Sequence, residues 1–446
     1  MISLEGVVSR IRYFHGKKEY VLTDGKSDYA FYSDETIPQG AIIALEGDMG
    51  VEKIAAKKVS VLDGEKAKKT LDRVRANIAS SADLPDSPSL LKDELTEKLW
   101  PLLKEAALEV LFAKKLGRSV LLRFHGDADG VCGAFALTGV LPCKAFQQNS
   151  AIYSVKDALR DMAMMGQESS PFVLLLDFGS SEGCREALDL LTAGGIDYLV
   201  IDHHPYGDSE KNNKKIVNPF SLSENVSKYT AGYLACEVAV ACGFDIERAR
   251  SLARIACSGD KSDILQSGPE DAKKAMVLDF LASHVSFGNN LDFYKKVMEK
   301  EELFRSIVLQ ADESIEEAAQ KAIARMKKQE REDGRGLQIV VFSLEGIVKK
   351  GEWPPASKIT TRVFDKLKDN APLLCIGQTD RSLIMRLDDN AVAMGLSANG
   401  LAEKIKTSMA DFVEGGGGHV KAGAIRVRKG FVKEVLNELI REAGGS

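Results

Sequence analysis

The sequence predicts an α/β chain in three parts: a small β-barrel, then a doubly wound parallel sheet, then a smaller α/β domain. Three observations carry that prediction. Residues 1 to 63 hold five short alternating runs separated by turn residues, and residues 119 to about 285 alternate apolar strands with helical stretches. Three apolar runs also end abruptly in acids and imidazoles: Ser119 to Phe124 before His125-Gly126-Asp127-Ala128-Asp129-Gly130, Phe172 to Leu176 before Asp177, and Val200-Ile201 before Asp202-His203-His204. An apolar run of about five residues reads as a strand buried on both faces of a parallel sheet, where ligands collect beyond the carboxyl ends. The three ends therefore read as one site.

Composition narrows the class. A chain of 446 residues has room for two or three domains, and 44% hydrophobic with 28% charged residues is the balance of a globular protein. No apolar segment approaches the roughly 18 residues of a membrane span, and the amino terminus lacks the form of a signal peptide, so a cytoplasmic enzyme without a membrane partner is expected. The seven cysteines are scattered, odd in number and without a C-x-x-C pair, which fits reduced thiols better than disulfides or a zinc site. A formal net charge of -5 argues against a protein that coats duplex nucleic acid.

Taken in order, Gly6 to Ile11, Glu19 to Thr23, Tyr29 to Tyr32, Ala41 to Glu46 and Ala55 to Leu62 are the expected strands of the first unit. Their number and spacing suggest a barrel of the oligonucleotide-binding type, whose Tyr13, Phe14, Tyr20, Tyr29, Phe31 and Tyr32 could stack bases. The segment nevertheless holds 8 basic and 10 acidic residues, so it is not a basic groove. Residues 64 to 89, lysine-rich and then rich in Ser, Asp and Pro, read as a linker. Helical spacing from Leu90 to Leu116 opens the second unit, residues 90 to 288. Helices are expected over Val131 to Leu141, Glu182 to Ala193, Tyr229 to Cys242, Ile246 to Cys257 and Pro269 to His284. Residues 289 to 335 read as connecting helices closed by a charged run, and residues 336 to 446 as the last α/β unit. That unit contains Gly415-Gly416-Gly417-Gly418-His419, and its basic residues outnumber its acids.

The residue types at the strand ends dictate a chemistry. Carboxylates with a minority of imidazoles and no cysteine suit manganese or magnesium. Two such ions need a bridging ligand and about six to eight donors. His125, Asp127, Asp129, Asp177 and His203 could supply them, with Asp260, which follows Gly259 at a helix end, completing the set. Alternate residues of an extended segment point the same way, which pairs Asp127 with Asp129; Asp177, alone at its strand end, is the natural bridge.

These motifs, in this order, resemble the four motifs of the DHH phosphoesterase superfamily, and Gly415 to Gly418 with His419, Ala422 and Gly423 is similar to the signature of its accessory DHHA1 domain. The length, the amino-terminal barrel and the His-x-Asp-x-Asp form of the first motif are most similar to archaeal RecJ-like proteins, some of which associate with the replication complex GINS. The resemblance implies that one metal is held by His125, Asp127 and Asp177 and the other by Asp129, Asp177, His203 and Asp260. It implies that Asp202 orients neighbouring imidazoles and that His204 touches the scissile phosphate or leaving oxygen. Gly416, Gly417, Gly418 and His419 are implied to bind a substrate phosphate, and Arg386 is a looser match as a second clamp. The expected function is a manganese-dependent exonuclease on single-stranded DNA or RNA, enclosed between two lobes and serving replication or repair. A phosphodiesterase of oligonucleotides or cyclic dinucleotides is the first rival, and a non-catalytic GINS-binding scaffold, which predicts broken ligands, is the second.

Overall fold

The computed structural model describes residues 1–446 except 15–16, 51–52, 167, 169, 206–212, 224–225, 227, 286–290, 331–335, 350, 419 and 445–446. The chain divides into two compact units, Met1–Glu299 and Lys300–Ser446.

The first unit begins with strands β1 (Ile2–Phe14), β2 (Lys17–Thr23), β3 (Asp28–Tyr32), β4 (Ile42–Met49) and β5 (Ile54–Val61). They close into a barrel in the order β1-β2-β3-β5-β4, antiparallel throughout except for the β3–β5 contact. Alternation puts Val8, Tyr20, Leu22, Phe31, Ile43 and Leu45 inside, with the Tyr20 and Phe31 rings stacked 5.4 Å apart. This is an OB-like barrel. Of the aromatics expected to stack bases, Tyr20 and Phe31 are therefore core, while Tyr13 is 77% exposed.

The expected linker is in large part a helix, α1 (Gly64–Ser81). Its Val74 and Ile78 share a core with Val7 of the barrel, so the lysines that read as a linker are the wet face of an amphipathic helix. Only the stretch after Ser81 is irregular, until Asp93 caps α2 (Glu94–Lys115) by accepting from the Thr96 amide at 2.7 Å.

Next come β6 (Val120–His125), α3 (Ala128–Thr138), β7 (Lys144–Gln148), α4 (Val155–Met165), β8 (Phe172–Leu176), α5 (Arg185–Ala193), β9 (Asp197–Ile201), β10 (Ile216–Val217), α6 (Ala231–Ala241), α7 (Ile246–Gly259), α8 (Pro269–His284) and α9 (Leu291–Glu299). The five strands form a wholly parallel sheet in the order β10-β9-β8-β6-β7. Helices α4 and α5 pack on one face through Ala158, Ala187, Leu188 and Leu191, while α3 and α6 lie against the strands from the other. The chain leaves β6 toward β7 and then crosses to β8 on the opposite side, so the crevice beyond β6 and β8 is a switch point of the sheet. Strand β7 and helix α4 lay outside the sequence reading, because Lys144-Ala-Phe-Gln-Gln is a half-polar edge strand without an apolar run.

The second unit contains α10 (Glu301–Ile323), β11 (Met326–Glu330), β12 (Gln338–Ser343), α11 (Ala356–Leu367), β13 (Leu373–Gln378), β14 (Ser382–Leu387), α12 (Asp389–Ala393), α13 (Ala398–Ser408), β15 (Val413–Gly418), β16 (Ala422–Val427) and α14 (Val432–Ala443). A mixed six-stranded sheet runs β11-β12-β13-β14-β16-β15. Part of the charged run expected to connect the units is β11, paired antiparallel with β12. Gly415 to Gly418 lie in the edge strand β15, in register with Gly423 to Arg426.

One buried acid ties the first unit together. Glu237 of α6 is fully buried and accepts from the amides of Ser89 (2.8 Å), Leu90 (2.9 Å) and Leu91 (3.2 Å) and from the Tyr233 hydroxyl (3.1 Å). Glu237→Ala leaves three backbone donors bare and is expected to destabilise the first unit by about 3 kcal/mol. Urea denaturation followed by the fluorescence of Trp100 in α2, in a Trp353→Phe background that silences the second unit, measures it.

Candidate metal centre

Each acid of the site owes its direction to the end of a strand or helix. His125 closes β6, and Asp127 caps α3 by accepting the Gly130 amide at 3.0 Å. Asp127 Oδ2 lies 2.6 Å from His125 Nδ1. Gly130 is required here, since a Cβ would stand 2.3 Å from the His125 carbonyl oxygen. Asp129 is 1% exposed, and its two oxygens accept from the amides of Ala231 (2.9 Å) and Gly232 (3.0 Å) at the start of α6. Gly232 must also be a glycine, with a Cβ falling 2.6 Å from the Asp129 carbonyl oxygen. Thr230 accepts the Tyr233 amide as cap of the same helix.

Asp177 follows β8 with φ +64°, a conformation that Asp and Asn tolerate better than other side chains. Its two oxygens face opposite ways. Oδ2 lies 3.5 Å from His125 Nδ1, and Oδ1 lies 3.3 Å from His203 Nε2, which is also 3.3 Å from Asp260 Oδ2 and 3.8 Å from Asp129 Oδ2. Donor atoms within 4.8 Å of one another thus form two clusters, His125/Asp127/Asp177 and Asp129/His203/Asp260, and Asp177 forms a further group with His203 and His204.

Asp202 stands behind the imidazoles. Its Oδ1 accepts from the His203 and His204 amides (2.8 and 3.2 Å) and lies 2.8 Å from His204 Nδ1, while Oδ2 accepts from Ser180 N (3.0 Å) and Oγ (2.5 Å). Asn218, fully buried, donates to Ser180 Oγ and to the His204 carbonyl, both at 2.9 Å. The His204 ring stays 43% exposed, with Nε2 on the side away from Asp202.

The electrostatics are those of crowded acids. Burial drives Asp129 well above the usual carboxylate range, reinforced by Asp177 and Asp260, and burial pushes Asp260 up to about 7. Asp177 is held far down: burial opposes this, but the close imidazoles of His125 and His203 outweigh it. His125 and His203 rise well above an ordinary imidazole, burial opposing and the neighbouring carboxylates prevailing. Asp177 Oδ1 is buried without a well-formed hydrogen bond. A buried, unsatisfied acceptor among carboxylates and imidazoles fits divalent cations, and all six expected ligands converge here.

The other expected residues divide. Arg386 is a correction: its guanidinium is buried and donates to Thr361 Oγ1 (3.0 Å), Met385 O (2.7 Å) and Ser357 O (3.2 Å), tying β14 to α11 instead of standing open as a phosphate clamp. Gly416, Gly417 and Gly418 lie on β15, and His419 lies outside the described residues. The sequence reading passed over the α6 amides, Ser180, Asn218 and Asp279, whose Oδ1 accepts the Ala128 amide at 2.8 Å. The α6 amides carry no side-chain signal, and Asp279 sits in an ordinary helical stretch far along the chain.

The chain is similar to known proteins in sequence and in fold. Residues 119–259 match the family described as DHH family, N-terminal domain. An uncharacterized protein of Methanocaldococcus jannaschii is 23% identical, the match covering 99% of this chain and 68% of that one. A solved DHH domain of a member of the s1p family of ribosomal proteins superposes with TM-score 0.68 at 24% identity, covering 86% of this chain and 99% of the other. RecJ of Thermus thermophilus in complex with Mn2+ gives TM-score 0.49 at 16% identity, covering 83% of this chain and 59% of that one.

Manganese is expected to raise the melting temperature of the protein, by the equivalent of about 2.7 kcal/mol at a hundredfold excess over its Kd. Asp177→Asn keeps the left-handed turn but removes the carboxylate that the His125 and His203 imidazoles hold charged, so it should melt lower than the parent without metal and gain nothing from manganese. Asp129→Ala should lower the metal-free melting point as well, because it strips the acceptor from two buried amides. Differential scanning calorimetry with manganese and with chelator checks all three.

Proposed function

We propose that this protein is a DHH-type two-metal phosphodiesterase that hydrolyses single-stranded nucleic acid, a RecJ-like exonuclease using manganese, with magnesium as the substitute. The observation that carries the reading is Asp177, buried between two ligand clusters with one oxygen toward each. In this reading His125, Asp127 and Asp177 hold one cation, and Asp129, Asp177, His203 and Asp260 hold the other. When bound, the two cations would lower the pKa of a water and neutralise the charge that builds at phosphorus.

The chain's own groups supply the rest. Asp202 fixes His204 through Nδ1, leaving Nε2 as the partly exposed nitrogen. Burial works against a charged His204, yet the hydrogen bond and charge of Asp202 raise its pKa above the ordinary value. A charged, oriented imidazole at the rim can hand its Nε2 proton to the departing ribose oxygen. Ser180 and Asn218 keep Asp202 and the His204 backbone in register. In the second unit a Cβ at Gly417 would meet nothing within 4 Å, so a phosphate can approach the β15 backbone closely; His419 is proposed beside it.

The OB-like barrel on the same chain supports a polymeric over a small cyclic substrate, and replication proteins such as GINS remain proposed partners. None of the six ligands is replaced, which is what a catalytic reading requires. Single-stranded DNA and RNA labelled at either end should be shortened with manganese and left intact with chelator. His204→Ala should lower kcat by about 10²- to 10⁴-fold with manganese affinity retained. Asp177→Asn should abolish turnover, and full activity in that variant would sink the assignment.

A further inference from the structure

The two clusters are joined by a single residue of chain. Asp127 belongs to one and Asp129 to the other, and Ala128 stands between them as the first residue of α3. The distance between the two sets of ligands therefore depends on how the Ala128 peptide is held. A helix leaves its first amides without partners, and here two of them find one. The Gly130 amide goes to the capping Asp127, while the Ala128 amide donates to Asp279 Oδ1 at 2.8 Å, from a helix 151 residues further on.

Ala128 is held on its other side as well. It is fully buried, and a Cβ on Gly259 would stand 2.9 Å from the Ala128 methyl and 3.8 Å from that of Ala275. Gly259 is followed at once by Asp260, and Ala275 lies one turn before Asp279 on α8. One face of α8 thus grips the Asp127-Ala128-Asp129 segment and the helix end that carries Asp260.

We propose that Asp279 is the positioning residue that sets the spacing of the two metal sites, through its hydrogen bond to the Ala128 amide. The inference rests on reading the clusters as a metal centre. Asp279 touches neither substrate nor cation in this role. It fixes the peptide from which Asp127 reaches one cation and Asp129 the other, so both sites loosen together when it is lost. Partners that orient ligands in this way alter metal affinity about 10- to 100-fold when removed.

The test is a manganese titration of the full chain by calorimetry, beside hydrogen exchange at the Ala128 amide in the presence of chelator. The parent should take up two ions. Asp279→Ala should bind manganese at least about tenfold more weakly at both sites and exchange the Ala128 amide faster. Asp279→Asn keeps an oxygen acceptor and should stay within about threefold of the parent on the same scale. If Asp279→Ala does not fold, Asp279→Glu, which displaces the carboxylate by one methylene but keeps its charge, carries the same tenfold expectation. Unchanged affinity in Asp279→Ala overturns the proposal, as does equal loss in Asp279→Asn, which would make charge and not position the cause. A parent that takes up no manganese overturns the metal reading itself, and this inference with it.

Discussion

The constraint on which the rest of the structure depends is the mutual repulsion of carboxylates gathered at the carboxyl ends of β6, β8 and β9. Asp129, Asp177 and Asp202 are withdrawn from water, with Asp127 and Asp260 at their open side, and burial alone would drive the withdrawn carboxylates to take up protons. The fold answers with directed donors. The α6 amides hold Asp129, two imidazoles flank Asp177, and Ser180 with the backbone at His203 and His204 saturates Asp202. Glycines at 130, 232 and 259 let the supporting helices come close enough to do so. What remains unanswered is the buried oxygen of Asp177, and it lies where the two clusters meet.

Much of this was legible from sequence because the chemistry sits where periodicity breaks. An apolar run that stops at an acid marks both the end of a buried strand and the placement of the acid, so His125, Asp127, Asp177 and the Asp202-His203-His204 stretch could be assigned to one crevice before any coordinates. The barrel strands were equally readable, since half-buried strands alternate. Asp260 was accessible through the glycine before it.

The parts that stayed hidden share a physical cause. A backbone amide has no letter of its own, so the support given to Asp129 by Ala231 and Gly232 leaves no trace in the pattern. Strand β7 is polar because it lies at the sheet edge, and α1 resembled a linker because its solvent face is dense with lysine. Arg386 misled for the opposite reason: its charge suggested a surface task, while three acceptors inside the second unit bury it. The four glycines, read only as a phosphate-binding signature, extend a sheet edge, which a run without side chains does not announce.

Helix α6 serves two distant parts of the chain. Its first amides carry Asp129, and five residues on, about 8 Å along the axis, Glu237 grasps the segment that arrives from the barrel. A helix this short and this buried behaves as a strut, with the barrel's tether fastened at one end and a ligand of the site at the other. The segment that leads in from the barrel and the backbone support of Asp129 therefore rest on one buried element, eleven residues long.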